Sequence, residues 1–183
     1  TTGNATDFGN LTVARYKAAG CSDATIGVWG GGGGYTNVID YITIATTGNA
    51  TDFGDLSVSR NGVGACSDAT YAVFGGGEIT TNTIDYVTIA TTGNATDFGD
   101  LTVSRYAPAG FASDTRGVWA GGHSGGGLDT IDYATIATTS NAISFGNLTQ
   151  SRASAAGFSN GTRGITAGGN LSSTSYDIID YVT

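Results

Sequence analysis

The chain has 183 residues and a net charge of −8, with 15 acidic residues against 7 basic ones and a charged content of only 12%. An acidic surface repels phosphate groups, which argues against nucleic acid and anionic membranes as partners. With 31 glycines and 10% aromatic residues, the composition is typical of a turn-rich β protein and excludes a charge-rich disordered chain.

The chain is built from four tandem units that start at residues 1, 46, 91 and 138. Each opens on a variant of one segment, which reads TTGNATDFGN, TTGNATDFGD, TTGNATDFGD and TTSNAISFGN. Leu and Arg follow, then an Ala/Gly-rich segment, a polar turn such as SDAT, an apolar run ending in Gly-Gly, a variable loop and Ile-Asp-Tyr. A fixed period of this length indicates a repeat protein in which the recurring residues form the framework.

Each unit offers four short strands. In chain order they lie around Phe-Gly, after the Arg, through Val-Trp-Gly-Gly and through Ile-Asp-Tyr. These segments are rich in β-branched and aromatic residues, are bounded by Gly and Asn, and show no 3.6-residue period. Four antiparallel strands per repeat of this length is the pattern of a propeller blade. We therefore expect an all-β fold, a single β-propeller domain over residues 1–183 with four four-stranded blades.

The elements VWGG, IDY, DFG and LTVAR, in this order, resemble the kelch repeat over the whole chain. The blade aromatic is Phe where most kelch repeats have Trp. The segment IDYVTIATTGNATDFGDL is also similar to repeats in virion and tail-associated proteins of marine bacteriophages. The first resemblance implies a kelch-like propeller, and the second implies a virion or extracellular location.

The order of strands also makes a prediction about closure. The sequence starts just before a Phe-Gly strand and stops just after an Ile-Asp-Tyr strand. The N-terminal strand is therefore predicted to complete the last blade and close a four-bladed ring. A segment of a larger ring or of a longer array is the alternative, and the lack of Met agrees with a processed chain or a stretch of a longer one.

The tripeptide Asp-Phe-Gly at 7–9, 52–54 and 97–99 invites comparison with the magnesium-binding motif of protein kinases. The chain lacks the Gly-rich phosphate loop and the HRD segment that such a site needs. The fourth unit has Ser144 in place of the aspartate. We therefore expect each aspartate to form a turn with nearby backbone amides, with a calcium site as the alternative.

One arginine and one aspartate recur in every unit. Equal numbers of these residues predict one buried or half-buried structural ion pair per blade, and a ring of arginines that binds an anion on the central axis is the alternative. The residues concerned are Arg15, Arg60, Arg105 and Arg152, with Asp40, Asp85, Asp132 and Asp180.

No catalytic or metal site is predicted. His123 is the only histidine and lies in a loop of glycines. Cys21 and Cys66 occupy positions that are Phe111 and Phe158 in the other units, which predicts apolar core sites and not a disulfide or zinc site. We expect no enzyme activity and no cofactor.

The units differ mainly in two connections, the loop between Gly-Gly and Ile-Asp-Tyr and the residues just after the Arg. In a kelch-like blade both connections emerge on one face, where binding residues collect, although neutral drift would also vary them. We expect a structural or assembly module that associates with itself or with other structural proteins, and a module that binds cell-surface glycans is the alternative. The candidate binding residues are Tyr16, Lys17, Tyr35, Glu78, His123 and Tyr176.

Overall fold

The computed structural model describes residues 2–78 and 81–183, and no helix occurs among them. The fold is all-β, and its sheets form the four blades of a β-propeller. Blades 1 to 3 each hold four antiparallel strands that neighbour one another in chain order. Their strands are β1 (Ala19–Ser22), β2 (Ile26–Gly30), β3 (Val38–Thr43), β4 (Thr51–Asp55), β5 (Gly64–Ser67), β6 (Tyr71–Gly75), β7 (Thr83–Thr88), β8 (Thr96–Asp100), β9 (Ala109–Ala112), β10 (Arg116–Ala120), β11 (Thr130–Thr135) and β12 (Ile143–Asn147).

Blade 4 differs from the others because its sheet has three strands. These are β13 (Ala156–Ser159), β14 (Gly164–Ala167) and β17 (Ile179–Val182), paired in that order. A two-stranded hairpin, β15 (Asn170–Leu171) with β16 (Thr174–Ser175), lies in the connection between β14 and β17. The described residues supply no outer strand to pair with the free edge of β17.

The Asp-Phe-Gly element makes a β-bulge in the outer strand. Ile39 pairs with Gly54 and Asp40 with Asp52, so the register skips Phe53. The carboxylate of Asp52 accepts a hydrogen bond from the Gly54 N–H at 3.1 Å, and Asp7 and Asp97 make the same contact with the N–H two residues on. The predicted turn is confirmed. Gly54 has a φ of 145°, and a Cβ there would collide with the carbonyl of Gly93 in the next unit.

The blades pack in series through their sheet faces. The innermost strands contact one another in the order β1, β5, β9 and β13, and three apolar clusters fill the space between successive blades. Among the described strands, β13 and β1 make no comparable contact. The propeller is therefore open between blade 4 and blade 1.

The N-terminal segment does not complete blade 4, and this part of the prediction is wrong. Residues 2–10 form no strand and lie beside blade 1, where the carbonyls of Phe8 and Asn10 accept hydrogen bonds from the N–H groups of Gly48 and Ala50, both at 2.8 Å. Phe53 and Asp55 make the same bonds to the turn of the next unit. Residues 8–10 thus occupy the place of the outer strand of a blade before blade 1.

Candidate functional site

A buried ion pair joins the predicted arginine and aspartate in every blade. The guanidinium–carboxylate distance is 2.6 Å for Arg15–Asp40 and 2.9 Å for Arg60–Asp85. Arg105–Asp132 and Arg152–Asp180 form the other two pairs. All four arginine side chains are completely buried, so none offers a charge to an anion in solvent on the axis.

Each pair also ties several strands together, as blade 2 illustrates. Arg60 donates to the backbone carbonyls of Thr83 and Phe74 as well as to Asp85. The carboxylate of Asp85 accepts hydrogen bonds from both the backbone N–H and the hydroxyl of Ser57. Burial lowers the pKa of Arg60, and the nearby Asp85 opposes that effect. The pair therefore fixes the position of the chain after the outer strand, and it belongs to the scaffold.

The two variable connections lie side by side, as predicted for a loop-bearing face. In blade 3, His123 and Tyr106 exchange two backbone hydrogen bonds of 2.9 Å. In blade 1, the Gly33 N–H donates to the Tyr16 carbonyl at 2.6 Å, and Asn170 pairs with Ala153 in blade 4. We call this surface, made of residues 16–18, 31–37, 61–63, 76–78, 106–108, 121–129, 153–155 and 168–178, the loop-bearing face.

A series of backbone hydrogen bonds crosses this face from blade to blade. The Gly62 N–H donates to the carbonyl of Lys17, Ala107 to Gly62, and Ser154 to Ala107, at 2.7–3.1 Å. All four residues have left-handed backbones, with φ between 52° and 66°. Since a left-handed conformation is costly for residues other than glycine, its recurrence shows that the scaffold holds these connections in one arrangement.

The most prominent patch of the loop-bearing face consists of Tyr16, Lys17 and Tyr106. Tyr16 is 65% exposed, and its ring packs over Gly33. The ammonium group of Lys17 lies 5.6 Å from the centre of the Tyr16 ring and 5.0 Å from that of Tyr106. A hydrogen bond to Tyr106 and the charges around it raise the pKa of Lys17. One cation between two aromatic rings has the chemistry to contact either a protein or a sugar.

The remaining candidates are distributed around this patch. The carboxylate of Glu78 accepts a hydrogen bond from the side-chain amide of Asn61 at 2.7 Å, and its charge acts on Lys17. Tyr35 is 60% exposed with a φ of 55°. His123 and Tyr176 are half-buried. The structure therefore brings Glu78 close to Lys17 and His123 beside Tyr106, whereas Tyr35 lies in the other variable loop of blade 1 and Tyr176 lies on blade 4.

Two residues of this face were missing from the predicted set. Tyr106 completes the pocket around Lys17, and Asn61 orients Glu78. Both directly follow the repeated arginine, as Tyr16 does, so the alignment of the units contains the signal. Trp119, an aromatic ring that could stack on a sugar if it were exposed, is completely buried between blades 2 and 3.

The remaining polar and reactive groups have structural positions. Cys21 and Cys66 are free thiols, and burial raises the pKa of Cys21 to about 12. The described residues contain no cluster of His, Cys, Asp and Glu that could hold a metal ion. In the part of the chain that the structure describes, no helix is long and apolar enough to span a membrane.

No protein-family model matches this chain, and no curated protein matches it.

Proposed function

We propose that this chain is a non-enzymatic assembly module of the kelch-like type, which binds copies of itself or other structural proteins through the loop-bearing face. The observation that carries this proposal is the fixed arrangement of the variable residues. In each blade, backbone hydrogen bonds join the two variable connections, while the framework beneath them repeats. A rigid scaffold that displays different side chains on one face is suited to recognition by contact.

The chemistry of the face favours a protein partner. Tyrosines dominate its exposed apolar area, the single lysine supplies one positive charge, and Glu78, Asp129 and Asp177 supply three negative charges. Tyr is enriched at the centres of protein interfaces because its ring is apolar and its hydroxyl forms hydrogen bonds. A virion or an extracellular fibre is the location that the resemblance to bacteriophage repeats suggests, and it is part of this proposal.

Sedimentation velocity and negative-stain electron microscopy of the purified chain test the proposal. We expect wild type to form larger species as its concentration rises, and Tyr16→Ser/Tyr35→Ser to weaken that association at least tenfold. Ile143→Ser is the control, because Ile143 is 56% exposed on the outer strand of blade 3, outside the loop-bearing face. Self-association through the loop-bearing face is ruled out if wild type stays monomeric at every concentration. It is also ruled out if the double variant and Ile143→Ser weaken association equally.

Glycan binding is the second candidate, favoured by the exposed Tyr16 beside Lys17. Aromatic rings stack on the apolar faces of sugars, and a neighbouring cation suits an acidic sugar. A glycan array probed with wild type and with Tyr16→Ala separates the two candidates. Binding that is lost in Tyr16→Ala supports the glycan reading, and no bound sugar with either chain eliminates it.

A further inference from the structure

The two ends of the blade series are open apolar faces. On blade 4, the side that would meet a next blade exposes Phe158 by 60%, Ile179 by 69% and Tyr181 by 64%. The equivalent Phe111 and Ile131 of blade 3 are 6% and 2% exposed. We call this side of blade 4 the exit face.

The side of blade 1 that would meet a preceding blade is the entry face. A cavity of about 450 Å³ opens there, lined by apolar side chains that include Phe8, Leu11, Trp29 and Ile42. In the next unit the equivalent residues Phe53, Leu56, Phe74 and Val87 all lie inside the closed core cluster between blades 1 and 2. The entry and exit faces are therefore the two halves of an inter-blade interface that the rest of the molecule shows three times.

The three internal interfaces follow a rule of size at the second-last residue of the second strand of each blade. This residue, which we call the Trp position, is Trp29, Phe74, Trp119 and Thr166 in blades 1 to 4. Trp119 of blade 3 packs on Gly64 and Gly75 of blade 2, where a Cβ would lie 2.9 Å and 2.5 Å from the indole, and its Nε1–H donates to the Gly64 carbonyl at 3.0 Å. Phe74 of blade 2 packs on Gly30 of blade 1 in the same way, at 2.8 Å. The paired neighbour of Gly30 is Ala19. Two glycines thus accept Trp, and one alanine with one glycine accepts Phe.

The third interface has the smallest residue at this position. Ala109 and Ala120 of blade 3, both buried, occupy the places of the two glycines. The residue of blade 4 at the Trp position is Thr166, which is 2% exposed. The two alanines of blade 3 therefore face a Thr of blade 4, because their methyl groups fill the volume that an aromatic ring at the Trp position would need.

A second position shows the reverse order of sizes. Cys66 of blade 2 faces Gly117, whose Cβ would lie 2.9 Å from its Sγ. Phe111 of blade 3, at the equivalent place, packs on Gly157 and Gly164 of blade 4. Cys66 thus lies at the same interface as Trp119, and Phe111 lies at the same interface as Thr166. Each internal interface therefore holds one large aromatic side chain across these two positions, and never two.

The exit face of blade 4 repeats the exit face of blade 3. It carries Phe158 with Ala156 and Ala167, as blade 3 carries Phe111 with Ala109 and Ala120. From this we infer that the exit face docks a further unit of this repeat that has a small residue such as Thr at the Trp position and two glycines at the positions of Gly157 and Gly164. The proposal concerns a different surface from the loop-bearing face and does not rest on the proposed function.

The entry face of this same chain fails that requirement at one residue. Blade 1 has the two glycines, Gly20 and Gly27, but it has Trp29 at the Trp position. Docking a second copy head to tail would place Trp29 against Phe158 and two alanines. Overpacking of this kind costs about 1–3 kcal/mol. The outer elements would otherwise fit, since residues 8–10 already lie where the outer strand beside β17 belongs.

The single mismatch gives a gain-of-association test on the full 18.3 kDa chain. Trp29→Thr gives blade 1 the residue that blade 4 has at the Trp position, Thr. The change also removes apolar surface, so non-specific hydrophobic association is not expected to increase. We expect sedimentation velocity to show association at least tenfold tighter than in wild type, and a second change, Phe158→Asp, to abolish that gain. Trp29→Phe is the control and is expected to behave as wild type, because Phe is still too large opposite Phe158.

The reciprocal variant tests the rule from the other side. Ala156→Gly/Phe158→Cys/Ala167→Gly gives blade 4 the exit face of blade 2, and this chain is expected to associate through the native Trp29. Circular dichroism establishes that each variant is folded. The proposal is overturned if neither folded variant associates more tightly than wild type. It is also overturned if wild type already associates through the entry and exit faces. In that case the single variant Phe158→Asp would sediment as a smaller species than wild type.

Discussion

The exit sides of blade 3 and blade 4 carry nearly the same residues but have opposite surroundings. Phe111 is buried against two glycines of blade 4, whereas its equivalent Phe158 faces solvent. Tyr133 packs edge-on against Phe145 of the outer strand, at 5.8 Å between ring centres. Tyr181 has no outer strand beside it among the described residues and is 64% exposed. Identical framework residues thus contribute differently to stability, depending on whether a neighbouring blade covers them.

The largest test of this comparison uses the two tryptophans at the same repeat position. Trp119→Ala removes a completely buried ring and its hydrogen bond to Gly64, and we expect it to lower the free energy of unfolding by about 5 kcal/mol. Trp29→Ala removes a ring that only its own blade supports, at an expected cost of about 1–2 kcal/mol. Urea denaturation followed by circular dichroism measures both. Equal costs would contradict the open entry face.

The ion pairs provide the next test. Asp85→Asn leaves the guanidinium of Arg60 buried without a counter-charge, which we expect to cost about 3 kcal/mol. The equivalent Asp180 in blade 4 is 11% exposed, so water can compensate in part and Asp180→Asn is expected to cost less than half as much. The same denaturation experiment compares the variants, and a larger cost for Asp180→Asn would show that its pair is not at an open end.

The bulge glycines give a smaller, matched difference. Gly99 and Gly146 have similar φ values of 142° and 151°, so alanine strains both backbones. A Cβ at residue 99 would also lie 2.6 Å from the carbonyl oxygen of Ser140, whereas no atom lies within 4 Å of one at residue 146. We expect Gly99→Ala to cost about 2–3 kcal/mol and Gly146→Ala about 1 kcal/mol. A thermal melt of each variant is sufficient, and the order of the two melting temperatures decides the outcome.

The smallest expected effect is a pH dependence of blade 4. Burial raises the pKa of Asp180, but hydrogen bonds from Thr149 and Arg152 outweigh this and hold that pKa below its ordinary value. The stabilisation is therefore complete above the unfolded pKa of about 3.9, and it is lost as the pH falls through the lower folded pKa. The difference in urea midpoint between wild type and Asp180→Asn should shrink from pH 7 to pH 2.5. A constant difference would show that this carboxylate does not titrate with folding.

Much of the scaffold could be predicted from repetition alone. A residue that recurs in every unit, such as Arg60 or Asp85, has the same neighbours in every blade, so equal numbers of opposite charges indicated their pairing. The Asp-Phe-Gly turn was predictable for the same reason, because it depends on hydrogen bonds within three residues. Local chemistry and periodicity therefore determined the strands and the turns, whereas the side-by-side placement of the two variable connections was implied by the resemblance to the kelch repeat.

The candidate site was only partly predictable. The variable connections marked the correct face, but the pocket around Lys17 needs Tyr106, which comes from a unit two repeats further along the chain. The burial of Trp119, which removes it as a sugar platform, depends on the two glycines of the preceding blade. Both facts concern side chains from different blades, and spacing within one unit carries no information about them.

Ring closure was decided by tertiary structure alone. The strand count of the units allowed the N-terminal segment to pair with β17, but residues 8–10 bond instead to the turn at 48–50. The repeated residues of the sequence determined what each blade looks like. Whether the last blade meets the first depends on contacts between side chains far apart in the chain, and packing responds to the sum of the volumes at a contact and not to either residue by itself.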